Sequence, residues 1–149
     1  MTGKTKIDLK DLLKLTNLAE NYNVSELVDH CLAKNKKRTV NILNENNYSQ
    51  EDCILIIRTF LIKIKRLLKL CGEFKETRNL ESTISSFKPP IFWKEKEIIK
   101  QQIRNWSYKD VENLVFQTNE IELLIKKNSN NSINILSDFI IQKSSPINS

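Results

Sequence analysis

An all-α fold, a bundle of about eight helices, is what this sequence predicts, and three observations predict it. Apolar residues recur at three- and four-residue intervals along the chain, the spacing of one buried helical face. Strand-like alternation of apolar and polar residues is missing over any useful stretch. Only 2 Gly and 3 Pro occur among 149 residues, too few for the turns of a sandwich or barrel but enough for long helices joined by short polar connections. A hydrophobic content of 40% suits one compact domain, or one domain with a small appendage.

The elements follow in order. Asp8 caps a first short helix reaching about Asn17, with Ile7, Leu9, Leu12, Leu13 and Leu15 as its apolar surface. Ser25 caps a second, striped by Leu27, Val28, Cys31 and Leu32. A polar break at Asn35 separates it from a third helix over about Lys36 to Asn46. The fourth is the longest. Ser49 with Asp52 three residues on has the form of a capping box, and Gly72 stands where a C-terminal glycine cap belongs. Ile54, Ile57, Leu61, Ile64 and Leu68 form its expected buried stripe, with Leu67 beside it and Arg58, Lys65 and Lys69 on another face.

A fifth, short helix from about Arg78 to Ser86 ends before Lys88-Pro89-Pro90, since two successive prolines stop a helix and stiffen the chain. A sixth spans about Trp93 to Asn105, with Phe92 expected to anchor its start in the core and Trp93 open to two roles, a second core anchor or a ring presented to solvent. Ser107, with Asp110 in the box position, starts a seventh that reaches about Lys127 and carries Val111, Leu114, Val115, Thr118, Ile121, Leu124 and Ile125. Asn128 to Ser132 is a turn, an eighth helix runs over about Ile133 to Gln142, and residues 144–149 are read as a flexible tail. The fourth and seventh helices have the longest apolar stripes and are expected to pack antiparallel at the centre. One subdivision is expected, near Asn35: the first two helices as a small unit over residues 1–35, and the other six as a bundle over residues 36–143.

Charge and composition bound the function. The net charge is +6 and the pI about 9.2, compatible with nucleic acid as a partner. Part of that balance is compositional: Ile, Lys and Asn are enriched together, as AT-rich coding sequence produces. The 3 Cys stand at Cys31, Cys53 and Cys71, without Cys-x-x-Cys spacing, and an odd count argues against a disulfide framework. They read as buried thiols of a reducing cytoplasm. The basic balance is equally compatible with an anionic membrane surface, but the most apolar window, Cys53 to Leu70, is broken by Arg58, Lys63, Lys65, Arg66 and Lys69 and is not expected to span a bilayer, and no membrane partner is expected.

Catalytic patterns are missing. No Walker-type phosphate loop occurs, and with Gly3 and Gly72 alone no glycine-rich cradle can be built. His30 is the single histidine, which leaves no Glu-x-x-His or His-x-x-x-His metal pair. In Asp29-His30-Cys31, neighbours on a helix point about 100° apart and do not form a nucleophile–base pair. No enzymatic activity, no cofactor and no metal are expected.

Four segments, in order, resemble the delta subunit of the bacterial DNA polymerase III clamp loader. Val24 to Leu32 is similar to the family's helix just before the collar domain, and Ile54 to Phe60 continuing through Leu68 resembles the long collar helix. Lys88-Pro89-Pro90-Ile91-Phe92-Trp93-Lys94 matches the Pro-Pro, aromatic, basic junction, and Trp106-Ser107 with the helix ending Glu122-Leu123-Leu124-Ile125-Lys126 resembles the penultimate helix. The resemblance covers about residues 5 to 143. Family members are AAA+-like chains of three domains, so it implies the terminal helices of the lid domain followed by the whole helical collar domain. The domain that opens the sliding clamp has no counterpart in these residues, and contact with the clamp is expected only through it.

The resemblance implies a non-catalytic component of the polymerase holoenzyme, located in the cytoplasm. Its partners would be the other clamp-loader subunits, of tau/gamma and delta-prime type, and primer-template DNA. In the family an aromatic at the position of Trp93 faces the template strand. The chemistry agrees: an indole held behind two prolines and among Lys88, Lys94 and Lys96 suits base stacking with phosphate contacts. The expected nucleic-acid-binding residues are Trp93, Lys94, Lys96, and, in the turn after Ile125, Lys126 and Lys127. The alternative is a free-standing basic helical nucleic-acid-binding module. Its compact recognition group would be Lys100, Gln101, Gln102 and Arg104.

Overall fold

The computed structural model describes residues 22–146, and in them the chain forms seven α-helices, two short 3-10 turns and no strand. The expected helix over Asp8 to Asn17 lies outside the described residues. Helix α1 occupies residues 22–32 and is already helical at Tyr22. Ser25 therefore sits inside α1 rather than capping it: Val24 is buried with Leu27, Val28, Cys31 and Leu32, and the apolar stripe begins one residue before the serine.

Lys34 then adopts a left-handed backbone, φ 63°, a conformation that costs a non-glycine residue about 1 kcal/mol. Two contacts hold it there. Its ammonium donates to the Lys143 carbonyl at 3.0 Å and lies 3.9 Å from the centre of the Trp106 ring. Helix α2 (Lys36–Glu45) starts at Asn35, whose side chain accepts from the Arg38 amide.

Helix α3 (Gln50–Thr77) is the axis of the bundle. Its start is as the sequence indicates: Ser49 accepts from the Asp52 amide, and the Asp52 carboxylate accepts from the Ser49 amide at 2.8 Å. Its end is not. The helix passes through Gly72 without a positive φ and stops at Arg78, which takes the left-handed cap with φ 56°. Gly72 instead lies in the helix interior facing Tyr108, where an added Cβ would meet the ring at 3.4 Å. That distance is ordinary contact, and alanine is favoured over glycine in a helix interior by about 0.5–1 kcal/mol. Gly72→Ala is therefore expected to raise the midpoint of thermal unfolding by a few degrees. A clear fall would show that the Tyr108 ring cannot yield to a methyl group there and that the packing requires glycine.

The buried face of α3 is also rotated from the expected stripe. Cys53, Ile56, Ile57, Phe60, Ile64, Leu67, Leu70 and Cys71 are buried, while Ile54, Leu61 and Leu68 are half-buried at its flank. Phe60 sets the centre of this face, its ring 5.8 Å from that of Phe139.

Helix α4 (Leu80–Ser86) begins at Asn79, which accepts from the Ser82 amide. After Pro90 a 3-10 turn (Trp93–Glu95) leads into α5 (Lys96–Asn105). Here Ile91 is the buried anchor and Phe92 is 55% exposed, reversing the expectation for Phe92. Helix α6 (Tyr108–Lys127) is capped by Ser107, which accepts from the Asp110 amide at 3.2 Å. Val111, Leu114, Thr118 and Ile125 are its buried face; Leu124, one step round the helix from Ile125, is exposed. A second 3-10 turn (Ser129–Asn131) joins it to α7 (Ser132–Ser144).

Helices α3 and α6 pack antiparallel. Cys71 and Gly72 near the end of α3 meet Trp106 and Tyr108 at the start of α6, while Cys53 at the start of α3 reaches Ser132, just past the end of α6. Residues from α1 through α7 share one hydrophobic cluster, on both sides of Asn35.

Candidate nucleic-acid interface

The segment between α4 and α5 presents the most prominent aromatic surface. Phe87 and Ile91 are buried and fix its two ends. Between Ile91 and α5 the chain has a short tight turn, with the Glu95 amide donating to the Phe92 carbonyl at 2.9 Å. Trp93 is 68% exposed. Its ring lies 5.9 Å from that of Phe92, tilted by 49°, and the Lys94 ammonium stands 5.5 Å from its centre.

What holds this turn is a chain of polar groups running inward from half-buried Glu95 and Arg66 to buried Asp29 and Gln102. The Glu95 carboxylate pairs with Arg66 at 3.3 Å and with Lys63 at 3.6 Å, both on α3. Lys63 donates to both oxygens of Asp29, at 3.0 and 3.1 Å. The Gln102 side chain of α5 donates to the Asp29 carbonyl at 3.0 Å. Asp29 and Gln102 are buried, and every member has a partner, which is the condition under which such a network rigidifies rather than weakens a core. Sequence reasoning missed Asp29, Lys63, Glu95 and Gln102. The available signal was Lys63, a charge close to the apolar stripe of α3, which needs a counter-ion if buried.

Of the expected binding residues, Trp93, Lys94 and Lys96 fall together in the turn and the first residue of α5; Lys94 is exposed and Lys96 half-buried. Lys126 and Lys127 are exposed in the last turn of α6, where cations also suit the helix dipole, and Lys126 lies 3.9 Å from Glu122. This second pair is not brought against the first. Glu95 sits at the level of Lys63 and Arg66 on α3, whereas the end of α6 is level with Cys53, an offset of about 15 Å along the axis at 1.5 Å per residue.

The compact group on α5 is divided. Gln102 is buried on Asp29, and Lys100 is ion-paired with Glu81 and Glu97, leaving Gln101 and Arg104 exposed.

The side chains of Asp29, His30 and Cys31 go to different surroundings. Asp29 pairs with Lys63, and Cys31 donates to the Ile140 carbonyl at 3.3 Å. His30 lines an open groove with Tyr22, Phe92 and Lys94, and burial lowers its pKa. Burial pushes the Cys31 thiol up to about 12 and that of Cys71 to about 11, so neither is a ready thiolate near neutrality. All three cysteines are free and buried. Among the described residues no helix is long and apolar enough to cross a membrane, and no His, Cys, Asp or Glu cluster is arranged to hold a metal ion. Comparison of the chain with protein-family models, with curated proteins and with solved structures finds no match.

Proposed function

We propose that this chain is the assembly region of a bacterial DNA polymerase III delta subunit, the end of a lid domain followed by a collar domain. It would join the clamp loader that places the sliding clamp on primed DNA in the cytoplasm. The observation that carries the reading is the exposed Phe92-Trp93-Lys94 turn behind Pro89-Pro90, set on an all-helical bundle. A tryptophan left this exposed, yet mounted on a turn held by two ion pairs, supports a role in contact with something outside the chain. The four sequence segments that resemble the delta family supply the identity of that contact, the template strand.

Assembly has its own support. Phe116 is 71% exposed on α6, and Leu123, seven residues on and on the same side, is exposed with Leu124. These three exposed apolar side chains, with Asn119 and Glu120 between Phe116 and Leu123, support a contact with a neighbouring bundle through separate apolar anchors in a polar surround. The partners would be the other loader subunits, of tau/gamma and delta-prime type, joined without nucleotide.

The test is Trp93→Ala in the assembled loader. Stacking on one base is worth about 1–3 kcal/mol, so primer-template affinity, read by fluorescence anisotropy, is expected to fall about five-fold or more. The far-ultraviolet circular dichroism and the thermal midpoint should hold. Unchanged affinity, or loss of the fold, would remove Trp93 from any DNA role.

A further inference from the structure

The outward face of α3 is charged in an uneven way. Between Asp52 and Glu73 the helix has no acidic residue and five basic ones, Arg58, Lys63, Lys65, Arg66 and Lys69. Lys63 and Arg66 are neutralised by Asp29 and Glu95. Arg58, Lys65 and Lys69 are exposed, and among the described residues none of them has an ion pair. With Ile62, which is 70% exposed, they stand at intervals of four, three and four residues, which puts all four on one side of the helix. At 1.5 Å per residue the line from Arg58 to Lys69 is about 16 Å long.

Two elements border this line. On one flank Lys63 and Arg66 grip Glu95 and so hold the Trp93 turn beside it. On the other, Gly72 faces the Tyr108 ring of α6, the helix that ends in Lys126 and Lys127. The cationic line of α3 is thus flanked by the Trp93 turn on one side and by α6 on the other, with Lys126 and Lys127 at the level of Cys53, past its Arg58 end.

We infer that the outward face of α3 is a phosphate track for single-stranded nucleic acid, with Trp93 as the stacking platform at its edge. Arg58, Lys65 and Lys69 neutralise successive phosphates, and Ile62 supplies an apolar spot against sugar or base. An exposed aromatic beside unpaired cations is the combination that single-strand sites use. An acidic protein surface is the competing occupant. A protein interface needs a continuous apolar centre, and this face offers Ile62 alone. The inference rests on the DNA-facing role proposed for Trp93, and extends it to residues outside that turn.

The experiment measures binding of the chain to a fluorescein-labelled thymidine oligonucleotide of about 20 nucleotides by anisotropy across a salt series. The variant combining Arg58→Gln, Lys65→Gln and Lys69→Gln is expected to bind about ten-fold more weakly at low salt. Its salt slope should be shallower by about 2, since each lost phosphate contact on a single strand removes about 0.7. A control combining Lys36→Gln, Lys37→Gln and Lys109→Gln removes the same charge elsewhere and should bind like the parent chain. Equal losses in the two triple variants would overturn the track in favour of overall charge. A strong effect of Trp93→Ala with none from the α3 variant would overturn it while leaving the Trp93 role standing. Absence of oligonucleotide binding by the parent chain at low salt, or competition by polyglutamate as effective as unlabelled oligonucleotide, would overturn it as well. None of these outcomes bears on co-assembly with loader subunits, which is measured separately.

Discussion

Replacing Trp106 by alanine should destabilise the bundle by about 3–5 kcal/mol, the range for removing a large buried aromatic. The site explains why the loss falls at the upper end. Trp106 caps the end of α5, one residue before the Ser107 cap of α6, and its indole nitrogen donates to the Leu32 carbonyl at the end of α1 at 2.8 Å. The Lys34 ammonium rests 3.9 Å from the ring centre. Alanine would leave a cavity, an unpartnered carbonyl at a helix end, and a left-handed lysine without its stacking partner. Against a total stability of about 5–15 kcal/mol for a domain of this kind, the thermal midpoint should fall by about 10 °C or more. Trp93→Ala, at the other tryptophan, should leave it nearly unchanged. Equal effects at the two tryptophans would contradict the distinction between a buried and a presented ring.

The second large effect is expected at Asp29. Asp29→Ala removes the carboxylate that takes two hydrogen bonds from Lys63 and leaves that ammonium in a site where its side chain is about one-tenth exposed. Breaking a buried pair costs about 3–5 kcal/mol. Glu95 remains 3.6 Å away, which places the expected loss near the lower value. The double variant Asp29→Ala, Lys63→Met should recover most of it, because the stranded charge is gone. Urea unfolding of the two single variants and the double variant measures this directly. A double variant as unstable as the sum of the single ones would show that the pair contributes through packing alone.

Much of the fold was legible because helix starts are written locally. Ser49 with Asp52, and Ser107 with Asp110, satisfy backbone donors within three residues of themselves, so sequence alone locates them. Helix ends were less legible. Gly72 has the composition of a cap, but the apolar face of α3 continues to pack past it, beside the Tyr108 ring, and Arg78 closes the helix instead. Ile91 and Phe92 adjoin, and either could anchor the turn; only the tertiary arrangement buries the isoleucine and leaves the larger ring outside. The stripe of α3 was misplaced by one step because Cys53, Phe60 and Cys71 belong to its centre. In the candidate site, Trp93 and its neighbouring lysines were found from the Pro-Pro junction. The network behind them was not, because Asp29, Lys63, Glu95 and Gln102 come from separate helices and their spacing in sequence carries no trace of the contact.

The central claim, that this bundle joins other clamp-loader subunits, is tested most directly by co-elution. The chain and the collar-containing loader subunits would be mixed at micromolar concentration without nucleotide and separated by size-exclusion chromatography with light scattering. The account predicts a stable co-migrating complex, weakened when Phe116 and Leu123 on the exposed side of α6 are replaced by serine. Separate elution of the chain and the partner subunits, with the bundle folded by circular dichroism, would contradict it.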